Sequence, residues 1–238
     1  MRIKNTNIDN FNVYQNLRSQ PDPVIKVYYD FRTHRAGPYV FDVSGNYNRG
    51  EVFGLLGYDN SNGGGCVFGE NKWVSLDYTL PTNFTVFLIG KFPSADNNPW
   101  NTLWGTDSWD QDQGYIGVLT APNTVQFGPA GYTYFDTNSA TATINNQDDV
   151  NIYTFVKNND SYYIYINGTL QGSSTNTGAA SSDSGLPLYI GARHTNYGDD
   201  TAINFATGTI YDFRLLEYAM TGPAVAIAFN ELKTRYGL

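Results

Sequence analysis

The sequence predicts an all-β protein: two antiparallel sheets stacked as a sandwich, with one short C-terminal helix and an N-terminal arm. Three observations carry this. Aromatic residues reach 16% and glycine occupies 24 positions while charged residues make up only 15%, a balance suited to pleated sheets joined by tight turns. From residue 24 onward, about a dozen short β-type runs are separated by turn chemistry. A single segment near the end has both the periodicity and the terminal signals of a helix. All-β sandwiches of ~200–250 residues often form one domain, so the expected division of the 238 residues is an arm over 1–23 and a sandwich over 24–238.

In residues 1–23, Asn5, Asn7, Asn10, Asn12 and Asn16 punctuate a polar stretch that closes with Pro21 and Pro23. It reads as a docking arm, against the plainer reading of a frayed terminus. The runs VIKVYYDF, YVFDV, EVFGLL and KWVSL follow as strands. In FTVFLIGKF, Phe84, Val86, Leu88 and Phe92 share one face and Thr85, Phe87, Ile89 and Lys91 the other, which is partly polar, as in a strand with one core face. GYIGVLT and TVQFG come next. NIYTFVK and SYYIYIN are separated by Asn158, Asn159 and Asp160, which tolerate left-handed turns, and Asn167-Gly168 is the strongest hairpin signal in the chain. The run SSTNTGAASSDSG, residues 173–185, reads as a long solvated loop. LPLYIGA and TGTIYDFRLLEY complete the strands. The helix then starts at Thr221, a capping residue, with Pro223 in its first turn. Its apolar stripe of Val225, Ile227, Ala228 and Leu232 is expected to seal an edge or end of the sandwich.

The formal net charge of −8, with no Lys/Arg cluster, repels phosphate backbones and anionic lipid surfaces, so nucleic acid is not an expected partner. The first residues lack the apolar run of about seven or more that a signal peptide carries, and no run approaches the ~18 that span a bilayer. The expectation is a soluble chain made in a cytoplasm, without membrane insertion. Cys66, the one cysteine, is read as a packed, inert thiol.

Several segments occur together in a shared order: VYYDF, FDVSGNYNRGEVFG, NGGGCVFGENKWVSL, NFTVFLIGKF, IYINGTL, LYIGAR, FATGTIYDFRLLEYAMT and FNELKTRYG. Over roughly residues 25–238 this text resembles the concanavalin A-like, laminin G-like jelly-roll family, most closely the versions found in bacteriophage and giant-virus structural proteins. The resemblance implies a jelly-roll sandwich and a structural role for Asp42, whose carboxylate would accept local backbone N–H bonds in an Asx-type turn. It does not extend to the arm, and the dense tryptophan text NNPWNTLWGTDSWDQDQGY is a departure that the family does not require.

In that text NTLWGT takes the place of the family's next strand, so Leu103 and Trp104 are expected on opposite faces, one of them in the core. Trp100 and Trp109 fall on flanking loop text and are the candidate ligand-contacting rings. An exposed indole covers the C–H face of a sugar while carboxylates and amides bond its hydroxyls, and Asp107, Asp110, Asp112, Asn98 and Asn101 supply those groups. Burial in a protein interface, or folding back onto the sandwich, are the two competing fates of these rings. The loop GARHTNYGDDTAINF adds His194, Asn196 and Tyr197 to the same rim. Its Asp199 and Asp200 are weak candidates for Ca²⁺, against plain solvated turn residues. No cofactor is required.

Catalysis is not expected. Retaining glycoside hydrolysis needs two carboxyls about 5–5.5 Å apart, which a strand supplies as Glu-x-Asp-x-x-Glu. The four glutamates, Glu51, Glu70, Glu217 and Glu231, are scattered instead, and His34 and His194 are the only histidines. The resulting expectation is a non-enzymatic virion structural protein, a head decoration or tail tip component in multiple copies. Residues 1–23 would anchor it to capsid or tail protein, and a lectin-like module on the virion surface would face host glycans. The alternative is a free-standing cellular carbohydrate-binding protein.

Overall fold

A computed structural model describes residues 25–34, 36–93, 100–107, 113–120, 123–130, 138–176, 184–195 and 201–238. The expected arm and the 23/24 boundary lie outside the described residues, as do Asn98, Trp109, Asp110, Tyr197, Asp199 and Asp200.

The first sheet contains β1 (Ile25–Asp30), β4 (Gly57–Asp59), β5 (Gly65–Phe68), β7 (Phe84–Lys91), β12 (Asn151–Asn158), β13 (Ser161–Ile166), β14 (Thr169–Thr175) and β18 (Gly208–Leu216). Its order is β14-β13-β12-β7-β18-β5-β4, with β1 also on β18. The second contains β2 (Tyr39–Val40), β3 (Gly50–Phe53), β6 (Trp73–Leu76), β8 (Asn101–Gly105), β9 (Tyr115–Thr120), β10 (Thr124–Pro129), β11 (Ala140–Thr143) and β15 (Leu188–Ile190). Its order is β11-β10-β9-β8-β15-β6-β3-β2. A small ribbon, β16 (Arg193–His194) with β17 (Ala202–Ile203), stands apart, and every strand pair within these sheets is antiparallel. This is the predicted two-sheet sandwich.

The alternation in β7 shows how the layers are built. Phe84, Val86 and Leu88 enter the cluster between the sheets, while Phe87 and Ile89 join a second cluster on the outer face of the first sheet. That outer face is not solvated, because the C-terminal helix (Gly222–Tyr236) lies on it through Val225, Leu232 and Tyr236. The helix therefore covers a sheet face, whereas the sequence reading placed it at an edge or end. Ile227 is 44% exposed, since two residues on from Val225 is about 200° around a helix. The Thr221 side chain makes no capping bond; its carbonyl accepts the Val225 N–H, and Gly237 closes the helix in the left-handed conformation at φ 68°.

Charge fixes the helix to the sheet. Asp212, fully buried, accepts from Arg214 at 2.6–2.8 Å and from the Tyr236 hydroxyl at 2.6 Å. Asp30 takes both Arg32 and Arg235 at 2.7 Å, tying β1 to the last turn of the helix. Burial opposes ionisation of Asp30, but the Arg32 and Arg235 guanidinium groups prevail and hold its carboxyl below the ordinary 3.8.

The predicted turns are present. Asn158 pairs with Ser161 across Asn159 (φ 51°), and Ile166 pairs with Thr169 across Asn167 (φ 51°) and Gly168 (φ 76°), the positive dihedrals of two-residue hairpins. Asp42 also takes the expected role: one oxygen accepts the Tyr28 and Ser44 N–H groups at 2.9 and 2.8 Å, the other the Ser44 hydroxyl and the Asn48 N–H at 2.8 and 3.1 Å. Cys66 is buried in the core, 1% exposed.

Leu103 and Trp104 depart from the alternation. Thr102 pairs with Val118 and Trp104 with Gly117, leaving Leu103 as an extra residue in a β-bulge. Both side chains consequently belong to the inter-sheet core. Trp104 packs against Phe84, Phe127 and Phe155 at centroid distances of 5.7–5.9 Å.

Candidate functional site

The outer face of the second sheet carries no helix among the described residues, and its strand register places aromatic rings there. Val40, Val74, Leu188 and Ile190 point into the core, so their neighbours Tyr39, Trp73, Ser75 and Tyr189 point outward. Pairing then aligns them: Tyr39, Glu51, Ser75 and Tyr189 form one row across four strands. Phe53 and Trp73 are opposite each other in the next. Their rings stack at 4.6 Å with planes 4° apart, and Trp73 also meets Phe205 at 5.8 Å and Tyr189 at 6.1 Å. Phe53, Trp73 and Phe205 are each half-buried. Arg49 lies over the Tyr39 ring at 3.9 Å. Glu51, exposed, is the single carboxylate in these two rows.

Tyr189 is itself buried, 2% exposed, and a polar cluster adjoins it. The His194 ring stacks on Tyr189 at 3.7 Å and its Nε2 bonds the Pro187 carbonyl at 2.8 Å. Asp107 and Arg193 form a fully sequestered ion pair, with side-chain exposures of 0% and 4%. Burial pushes the Asp107 carboxyl up, with Arg193 and His194 opposing. The pair joins two distant parts of the chain: Asp107 immediately precedes 108–112, and Arg193 and His194 lead into 195–201. The described residues Asp107 and Arg193, 86 positions apart in the sequence, thus meet beside the aromatic rings.

This corrects the role assigned to Asp107. It was expected among the groups bonding sugar hydroxyls, but its carboxylate is inaccessible and committed to Arg193. Asn101 is likewise buried, 5% exposed. Trp100 is half-buried against Ile116, Val118 and Ala130 on the outside of the second sheet. Trp73 lies outside the expected set, although strand KWVSL carries its signal: if Val74 is core, the tryptophan beside it faces outward.

Among the described residues, no group of three or more His, Cys, Asp or Glu side chains is placed to hold a metal ion, and no helix is long and apolar enough to cross a membrane.

The chain is similar to the receptor-binding domain of botulinum neurotoxin type G (15% identity, TM-score 0.62, 87% of this chain and 51% of that one). It is similar to the binding domain of Paraclostridial Mosquitocidal Protein 1 (14%, 0.64, 88% and 52%). A third similar structure is of botulinum neurotoxin type C, whose cell entry is described as dependent upon interaction with two ganglioside molecules (18%, 0.64, 87% and 50%). This chain spans about half the length of each, and at such identities the likeness is one of fold. No curated protein sequence matches. A family profile described as concanavalin A-like lectin/glucanases superfamily, of laminin G type, matches residues 68–226, more than half of the sequence. The chain therefore belongs to the concanavalin A-like, laminin G-like family.

Proposed function

We propose that the protein is a non-catalytic, lectin-like module that binds cell-surface carbohydrate on the outer face of its second sheet. The stacked Phe53–Trp73 pair carries the proposal. Aromatic rings held rigid by their neighbours offer apolar contact to the C–H groups of a pyranose, and Glu51 and Ser75 stand one row away as hydrogen-bonding partners for hydroxyls. The fold likeness to toxin binding domains, one of them linked to gangliosides, supports a binding role. A single carboxylate in the two rows supports adhesion over hydrolysis, which takes two.

The setting we propose is a virion surface, with the chain synthesised in the host cytoplasm and anchored to capsid or tail protein through residues 1–23. The resemblance to virus-associated members supports it.

A glycan array with wild type and Trp73→Ala tests the binding role. The variant is expected to bind at least tenfold more weakly, about 1.4 kcal/mol, while retaining its fold by circular dichroism. Equal binding by the variant, or no binding by either protein, refutes the reading. Deleting residues 1–23 is expected to abolish particle incorporation and leave the sandwich folded; retained incorporation refutes the anchoring role.

A further inference from the structure

Where β7 ends and β12 begins, away from the aromatic face, the sandwich holds a cleft of about 630 Å³, within the ~300–1,000 Å³ range of small-ligand sites. Its floor is a hydrogen-bonded unit of asparagines. Asn151, 4% exposed, donates through Nδ2 to the carbonyls of Asn146 and Asp149 at 2.9 and 3.1 Å, and its Oδ1 accepts from Asn167 Nδ2 at 2.9 Å. Asn167 Oδ1 in turn accepts the Ile152 N–H at 3.0 Å, and Asn146 Nδ2 donates to Asp149 Oδ2 at 2.6 Å. The network locks the 145–150 loop to the Asn167-Gly168 turn. Both walls are therefore set before any ligand arrives, which lowers the ordering cost of binding.

The side chains left over face the cleft. Lys91, Thr143, Asn145, Thr169 and Gln171 line it, and none of their side chains has a hydrogen-bond or ion-pair partner among the described residues. Four of these five carry neutral hydroxyl or amide groups that both donate and accept, as the hydroxyls of a sugar do. Among the described residues the lining contains no aromatic ring, and its apolar part is confined to Val150, Ile166 and Leu238. Asp148 and Asp149 outweigh Lys91 there, in a chain of net charge −8, so the field disfavours an anionic ligand. Lys91 and the absence of a three-membered ligand cluster among the described residues disfavour a metal ion.

We propose that this cleft is a second saccharide subsite, independent of the aromatic face, which reads hydroxyl patterns through amides and selects neutral sugars over acidic ones. The proposal rests on the carbohydrate-binding reading above and adds to it the location and charge class of a ligand.

The test is calorimetric titration of the full chain with lactose, cellotriose and N,N′,N″-triacetylchitotriose, with 3′-sialyllactose as the acidic counterpart of lactose. Each is repeated on Trp73→Ala and on Asn145→Ala/Gln171→Ala, whose replaced side chains are exposed and leave the core intact. The expected result is binding of a neutral probe that persists in Trp73→Ala, weakens at least fivefold in Asn145→Ala/Gln171→Ala, and is stronger than that of sialyllactose. Binding that vanishes in Trp73→Ala and is unchanged in Asn145→Ala/Gln171→Ala overturns the cleft proposal while sparing the aromatic face. Binding abolished by EDTA, or tighter for sialyllactose than for lactose, overturns its stated chemistry. No saturable binding of any neutral probe to the wild type overturns both readings.

Discussion

Replacing Arg193 by methionine removes the cation from a carboxylate that solvent does not reach. Water screening cannot rescue Asp107, because its exposure is 0% and that of the Arg193 side chain only 4%. Breaking one partner of a buried pair costs about 3–5 kcal/mol. In a chain of this length, where 1 kcal/mol moves Tm by about 2–4 °C, that is a fall of roughly 6–20 °C. The deficit depends on pH with a definite sign. Burial already raises the Asp107 pKa against the pull of Arg193, and without the guanidinium it rises further. A carboxyl whose folded pKa exceeds its unfolded value binds more protons when folded, so stability falls as pH rises and is recovered as pH falls. The Arg193→Met deficit should therefore be largest at neutral pH and shrink toward about pH 4. Replacing both partners, Asp107→Leu/Arg193→Met, should cost much less than the single change, since no charge is left stranded. Urea unfolding followed by tryptophan fluorescence measures all of this. A single-variant deficit below about 1 kcal/mol at neutral pH, or a double variant as damaged as the single, would refute the reasoning.

Asp30 shows the opposite sign: its pKa is held below 3.8, so its contribution is present above that value and lost as pH falls through the depressed one. Asp30→Asn should accordingly melt lower than wild type at neutral pH, with the Tm gap closing under strong acid; a gap constant with pH contradicts the assignment. Gly117→Ala tests the core, because a Cβ there would stand 2.5 Å from Trp104 Nε1, in a ring wedged among phenylalanines. Overpacking of this kind costs about 1–3 kcal/mol, and a neutral effect in urea would mean that the indole has room to move.

The fold was legible because its signals are local. Period-two alternation in FTVFLIGKF, the Asn-Gly turn and the Asx turn at Asp42 each depend on residues a few positions apart, and each reappears in the structure, although the helix covers the second face of FTVFLIGKF that the sequence reading left outside the core. Even strands that were passed over carried such a signal: in β11 and its continuation, Ala140, Ala142 and Ile144 are buried while Thr141 and Thr143 are exposed. The candidate site was only partly legible. Trp73 could have been placed outward from its own strand, but that Phe53 stacks on it follows from the register of β3 against β6, twenty residues apart.

The sequence by itself determined the class of the protein: short alternating strands, tight left-handed turns and one amphipathic helix allow little but a stacked pair of sheets, because side-chain period and turn chemistry are properties of neighbouring residues. Tertiary structure decided which polar groups are available to a ligand. Asp107 is withdrawn because Arg193, far along the chain, is folded against it. Asn145 and Gln171 become walls of one cleft because β11 and β14 lie side by side at the edges of opposite sheets. Such accessibility arises from long-range pairing, and no local stretch of sequence encodes it.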